Sequence, residues 1–457
     1  MIGRVCGLLS VRERRRGALV LGLVVVSALF EALGVASILP FLSVLGDGAG
    51  TQVSPWVTWL PERVHAGGLP PLALLAGLSF TLFIAAALLR TGTHYQLGRF
   101  AERQRSHIAT RLLRAYLHAP YAFFLRRDSS GLASTLLAEV DEVVGRVLLP
   151  GLQVAAYGAV ALALVSLLVV VDPRLALVVA LVVGGIYLLL YAVVRGMNAR
   201  NGDTRLAANR ARYRSAIEAL RGIRDIKLHA RESVYLSHFS TPAEALAEAQ
   251  ARAYLIGQVP RFLVETAALG GILVLALWLS DGEGGATDWS LLGLYALAGY
   301  RLLPAVQNLY ANITQMRFGR PALDAVVRAF AESGPASPAA TAGPRRSQAF
   351  RELRCEQLCF RYPGGDADVL RGVDLDIRCG EFLGIAGETG CGKSTLLDCL
   401  LGLLTPDSGI IRVNGDALHA DDAVAAWQAS VGYVSQDIFI ADASVADNTA
   451  FPEGGET

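Results

Sequence analysis

Gly387-Glu388-Thr389-Gly390-Cys391-Gly392-Lys393-Ser394-Thr395 fits the phosphate-cradling pattern G-x-x-x-x-G-K-[ST]. The apolar run at 382–386 before it reads as a strand, and the run at 396–404 after it reads as a helix. That is the setting the motif requires, and it weighs against a chance glycine-rich turn. The chain uses Arg at nearly every basic position; its two lysines are Lys227 and Lys393. A compact ammonium on a flexible stem suits a phosphate where a planar guanidinium does not. The backbone N–H groups of residues 390–395 are expected to cradle β- and γ-phosphates at a helix N-terminus. Gly387, Gly390 and Gly392 let the backbone approach. Lys393 is expected on the terminal phosphates, and the Ser394 hydroxyl on Mg²⁺. Glu388, Thr389, Cys391 and Thr395 complete the nucleotide-binding stretch, whose ligands are ATP and Mg²⁺.

Working outward, 457 residues exceed one ordinary domain. An apolar share of 53% with positive mean hydropathy (+0.43) points to a membrane protein. A net charge of +1 argues against a nucleic-acid partner. Cys355, Cys359, Cys379, Cys391 and Cys399 cluster around the phosphate loop, so they are expected to be reduced in the cytosol. Cys355 and Cys359 lack a second Cys or His pair to complete a zinc site, and they read as packing residues.

Six apolar stretches are long enough, or nearly so, to cross a membrane: 18–45, 72–89, 148–171, 175–194, 262–280 and 289–310. The last is interrupted by Arg301 and Pro304. The first follows Arg12, Arg14, Arg15 and Arg16 and is too long for a cleaved leader. Basic residues crowd the N-terminal tail and the segments 90–146 and 195–252, while the intervening loops are poor in them. This asymmetry puts both termini in the cytoplasm. Helical spacing at 95–118 and 207–228 predicts that the second and fourth spanning helices continue beyond the membrane. The stretch 332–348, rich in Ala, Pro, Ser and Gly, reads as a linker. Short strands are expected at 353–362, 373–379, 382–386 and 410–414.

Taken together, these residues resemble an ATP-binding-cassette exporter of the half-transporter type. The resemblance implies a six-helix α transmembrane domain over 1–330, a linker over 331–348 and an α/β P-loop nucleotide-binding domain beginning at 349. Tyr362 matches the family's adenine-stacking aromatic. Gln436 matches the Q-loop glutamine that contacts Mg²⁺. Residues 129–141 and 221–232 match the two coupling helices. The signature, the Walker B Asp and Glu and the switch His are not found before Thr457. The sequence therefore reads as an N-terminal fragment with an incomplete nucleotide-binding domain (349–457) and no catalytic residue for hydrolysis. Three short stretches, 30–41, 260–265 and 300–304, are similar to a narrower group, the bacterial PglK-like flippases of lipid-linked oligosaccharides.

The resemblance implies a homodimer in the bacterial inner membrane that moves a lipid-linked saccharide or another amphipathic substrate among membrane lipids, with ATPase activity in the full-length dimer. A drug or plain-lipid exporter and a non-hydrolysing regulatory half are the alternatives. Ionisable residues within spans are costly and thus functional candidates. By helical rise, Glu31 lies about 20 Å from the cytoplasmic start of its span and Arg301 about 18 Å from the outer start of its own, both near mid-membrane. Arg90, Arg261 and Arg301 are expected to line a cavity and grip an anionic head group. A plain structural pairing of Glu31 or Glu265 with Arg301 is the alternative.

Overall fold

The structure is a computed structural model. It describes residues 2–38, 41, 71–125, 127–171, 173–280, 289–334, 349–362, 364–419, 421–435, 438 and 440–450. The chain divides into two compact units, one of residues 1–117 and 127–335, the other of 118–126 and 336–457. The expected linker falls almost wholly outside the described residues.

The first unit is helical. A short α1 (Ile2–Leu8) leads to α2 (Val11–Ala36), then α3 (Pro71–Leu117). Ser10 starts α2 with a capping box: its hydroxyl accepts the Glu13 N–H, and the Glu13 carboxylate accepts the Ser10 N–H at 2.7 Å. After α3 this unit resumes with α5 (Ser129–Ala133), a π-helical turn Ser134–Glu139, α6 (Val140–Val143), a second π-turn Val144–Leu148, and α7 (Leu149–Val171). Then come α8 (Pro173–Arg221), α9 (Ile223–Leu228), α10 (Glu232–Ser280), α11 (Trp289–Phe318) and α12 (Arg320–Glu332).

Five of the six apolar stretches fall on long helices, and the first, 18–45, does so as far as Ala36, most of its remainder lying outside the described residues. Among the described residues, Val11–Ala36, Ala73–Leu117 and Ser129–Val170 are long and apolar enough to cross a membrane. The second and fourth spans do continue: α3 has 47 residues and α8 has 49, roughly 70 Å each at helical rise. Such lengths satisfy backbone groups internally in lipid and carry the same helix into water.

Three clusters hold these helices together. Val24, Leu97 and Ala156 join α2, α3 and α7. Val35, Leu164, Leu168 and Leu302 join α2, α7 and α11. Tyr187, Val264 and Tyr310 join α8, α10 and α11. The helix α11 thus belongs to both halves of the bundle. Pro242 and Pro260 lie within α10 and Pro304 within α11, and each removes a backbone donor from its helix. Where α11 passes into α12, Gly202 of α8 lies so close that a Cβ would meet the Phe318 carbonyl at 2.5 Å.

A charged knot lies at the π-turns. The Arg205 side chain is 1% exposed and its partner Glu139 is fully buried; Nη2 of Arg205 donates to Glu139 Oε2 at 2.5 Å. Asn209 donates to the other Glu139 oxygen at 3.2 Å. Arg146 pairs with Glu142 at 2.6 Å and lies over the Phe318 ring.

The second unit contains α4 (Tyr121–Leu125) and a four-stranded antiparallel sheet of order β2-β1-β3-β4. Its strands are β1 (Glu352–Phe360), β2 (Leu370–Arg378), β3 (Ser408–Val413) and β4 (Asp416–Ala417). On the core face Leu353, Cys355, Leu358 and Phe360 pack against Cys399, Leu400 and Leu404. Here α13 (Lys393–Leu400) covers the sheet, followed by α14 (Asp421–Gln428) and α15 (Val445–Ala450). The turn Asn414-Gly415 joins β3 to β4 with both residues at positive φ, as a two-residue hairpin requires. Gly409 (φ +87) passes the bulge of β1 so closely that a Cβ would meet the Gln357 carbonyl at 2.4 Å.

One expectation changes. The run 382–386 forms no strand: Phe382 is wholly exposed and Leu383 and Ile385 are open. An apolar run becomes a strand only when a neighbouring strand takes its N–H and C=O groups, and none among the described residues does. The piece of the 118–141 region that groups with the second unit is 118–126, whose Ala122 packs on the sheet core. Residues 129–141, matched to one of the coupling helices, group with the helical unit.

Replacing Glu139 by Ala leaves Arg205 buried beside a more distant carboxylate (Glu142, 3.8 Å). Thermal unfolding in detergent should show a loss of about 3–5 kcal/mol, while Glu142→Ala, nearer the surface, should cost less.

Candidate functional sites

The phosphate loop is built by backbone conformation. Gly390 (φ +89) and Gly392 (φ +97) adopt left-handed geometry that L side chains resist. A Cβ at Gly392 would also meet Val369 at 3.0 Å. Gly392 is the N-cap of α13 and makes no side-chain cap bond, which leaves the helix's first N–H groups facing outward. The loop folds back so that Lys393 Nζ donates to the carbonyls of Gly387 and Glu388, both at 2.7 Å. Ser394 is exposed next to it, and Thr395 is buried. The loop's donor set, a lysine and helix-end N–H groups with a free hydroxyl, fits a polyphosphate and its divalent cation.

Tyr362 follows β1. Its hydroxyl and the Thr395 hydroxyl lie 2.9 Å apart, and its ring meets Phe360 edge-on. The expected adenine-facing residue is thereby tied to the helix that carries the loop, a link the sequence spacing does not reveal. Tyr121 of α4 is in the same unit; burial raises its phenol above the usual range, and the Asp398 carboxylate adds to this. Gln436 lies outside the described residues.

Within the helical unit, Glu31 of α2 is buried and accepts from two arginines on two other helices. Arg301 Nη1 of α11 is at 3.2 Å, and Arg90 Nη1 of α3 is at 3.5 Å. The Arg301 guanidinium also lies over the Phe83 ring, with its Nε buried and unbonded. Glu31, Arg90 and Arg301, with Thr93, His94 and Tyr157, line a cavity of about 400 Å³. Arg261 is not part of it. Its Nε donates to Glu265 one turn along α10, at 2.8 Å, and it borders a separate cavity. The structure therefore brings Arg90 and Arg301 together, and pairs Glu31, not Glu265, with Arg301.

Comparisons place these sites in a family. A family model described as ABC transporter transmembrane region matches residues 19–280, and one described as ABC transporter matches residues 370–455. With more than half its length under the first, the chain belongs to the ABC transporters. It is 25% identical over 383 residues to the ATP-dependent lipid A-core flippase of Cupriavidus pinatubonensis, covering 83% of this chain and 63% of that protein. It is 27% identical to the glutathione/L-cysteine transport system ATP-binding/permease protein CydC of Escherichia coli, covering 84% and 69% respectively. A solved bacterial Atm1-family ABC exporter with ATP bound shares the fold, with a TM-score of 0.73 at 16% identity, over 96% of this chain and 74% of the other. The chain spans about 63% of the length of the flippases it matches.

Cys355 and Cys399 are buried in the sheet core, and burial pushes their thiols up to about 11 and about 12. Cys379 and Cys391 are exposed. At pH 8, maleimide should label Cys379 and Cys391 and spare Cys355 and Cys399 until the unit is denatured. The two buried thiols also tie stability to pH. Their neutral forms are the folded ones, so their contribution is whole below the unfolded thiol value of 9.0. It is lost as the pH rises through 11 to 12.

Proposed function

We propose that the chain is one half of an ATP-driven exporter or flippase that pairs with a second copy in the bacterial inner membrane, both termini cytoplasmic. ATP binding and hydrolysis by the dimer then move an amphipathic substrate, a lipid-linked saccharide, across that membrane. The observation that carries this reading is one carboxylate, Glu31, shared by Arg90 and Arg301 inside the helical bundle, on the same chain as a phosphate loop. Two guanidiniums and one carboxylate leave the cavity net positive. A plain structural pair needs one of each, so the second arginine is in excess of what helix packing demands. That excess suits an anionic head group, and a guanidinium's fork donates two parallel bonds to phosphate oxygens. The similarity to proteins named lipid A-core flippases supports an amphipathic cargo.

In the nucleotide-binding unit, Gly387, Glu388, Thr389, Gly390, Cys391, Gly392, Lys393, Ser394 and Thr395 hold the phosphates. Lys393 turns from its own loop carbonyls to the terminal phosphate oxygens. The open N–H groups of α13 supply further donors, and the Ser394 hydroxyl holds Mg²⁺, a role the sequence also gives to Gln436. Tyr362 presents its ring to adenine while its hydroxyl stays on Thr395. Bound Mg²⁺–ATP supplies the cleavable phosphoanhydride and the screening of its charge. In the membrane unit, Arg301 and Arg90 exchange Glu31 for the substrate's anion.

Lys393→Ala should weaken binding of a fluorescent ATP analogue by about 100-fold, because a charge-assisted contact to phosphate is lost in a loop that otherwise keeps its shape. Arg301→Leu should abolish stimulation of ATPase activity by a polyprenyl diphosphate and leave basal activity intact. Unchanged stimulation in a folded variant would remove the anion-binding role.

A further inference from the structure

Two cavities in the helical unit share a wall. Tyr300, Pro304 and Asn308 of α11 border the arginine cavity on one side and a second cavity of about 470 Å³ on the other. The second is closed by Tyr187 of α8 and by Gln258, Arg261 and Glu265 of α10. The two differ in charge. Arg90 and Arg301 outnumber Glu31 in the first, whereas in the second Arg261 and Glu265 neutralise each other at 2.8 Å. The remaining polar groups there are uncharged. Gln307 reaches Glu265 at 3.5 Å, and Asn308 donates to the Pro304 carbonyl one turn back at 2.8 Å.

Tyr187 is the informative residue. It is 8% exposed, its ring packs on Tyr310, and its hydroxyl is buried with no hydrogen-bond partner. A buried hydroxyl left unbonded is costly, and a native site that keeps one commonly has a ligand or water to answer it. The same cavity is lined by three side-chain amides, a neutral guanidinium–carboxylate pair that both donates and accepts, and the exposed ring of Tyr300 on the shared wall. Groups that donate and accept without net charge, next to flat apolar rings, match a ligand dense in hydroxyls, each of which also does both.

We infer that this second cavity takes the uncharged, hydroxyl-rich part of the substrate, a sugar ring, while the adjoining arginine cavity takes its anionic part. The inference rests on the reading of the arginine cavity given above. The shared wall explains how one molecule reaches both: a sugar bonded directly to a phosphate puts the two chemistries on either side of two turns of α11. A lipid phosphate without a sugar fills one cavity and leaves Tyr187 unanswered.

The test is equilibrium binding to the full chain in lipid nanodiscs with three probes: undecaprenyl diphosphate, undecaprenyl diphosphate bearing a disaccharide, and the free disaccharide. The parent should bind the sugar-bearing lipid about three- to tenfold more tightly than the bare lipid, the range expected from one or two added hydrogen bonds. Free disaccharide should compete with the sugar-bearing lipid and not with the bare one. Tyr187→Phe combined with Gln258→Leu should erase the preference and leave bare-lipid affinity unchanged. Tyr187→Phe alone, which keeps the ring packing, should reduce the preference in part. Equal binding of both lipids by the parent overturns the inference, as does a preference that survives the double substitution. Arg301→Leu reads the other cavity separately. If it leaves bare-lipid binding unchanged while the double substitution still erases the sugar preference, the sugar subsite stands and the anion site falls.

Discussion

A peptide group in hydrocarbon has no water to bond, and a charge there has no solvent to shield it. The first demand makes the helical unit a set of long helices. The second decides where those helices touch. Glu31, Arg90 and Arg301 come from three helices separated by up to 270 positions in sequence, and they meet because none could stay alone at that depth. Their meeting draws α2, α3 and α11 to one point and leaves a polar hollow beside it. The cavity and the helix packing thus have the same cause.

A second buried pair acts in the same way where the helices extend past their apolar stretches. Glu139 sits at a π-turn, and the extra residue of such a turn rotates the carboxylate toward Arg205 of α8. Breaking this pair strands a charge in a fully packed site, which costs far more than a surface pair would. Together with the close approach at Gly202, it fixes α8 against the α11–α12 junction.

The phosphate loop was legible from nine residues because its physics is local. Glycines at fixed spacing set positive φ, and a helix that follows sets the donors. The long helices were also legible, since apolar length is a local property. The strand expected at 382–386 was not borne out, because a strand is a property of a pair and the sequence names no partner. The expected grouping of Arg90, Arg261 and Arg301 in one cavity failed for a related reason: Arg261 found Glu265 one turn away on its own helix, a nearer partner than any across the bundle.

By itself the sequence determined that a phosphate loop follows a run of membrane-length helices, and that costly charges lie within them. Both are set by composition and short-range spacing. Only the tertiary structure decided which charge answers which, that Tyr362 is tied to Thr395, and that α11 separates a cationic hollow from a neutral one containing an unbonded tyrosine hydroxyl. Those outcomes depend on helix rotation, where a few degrees carry a side chain from one neighbour to the next. No local spacing encodes that choice.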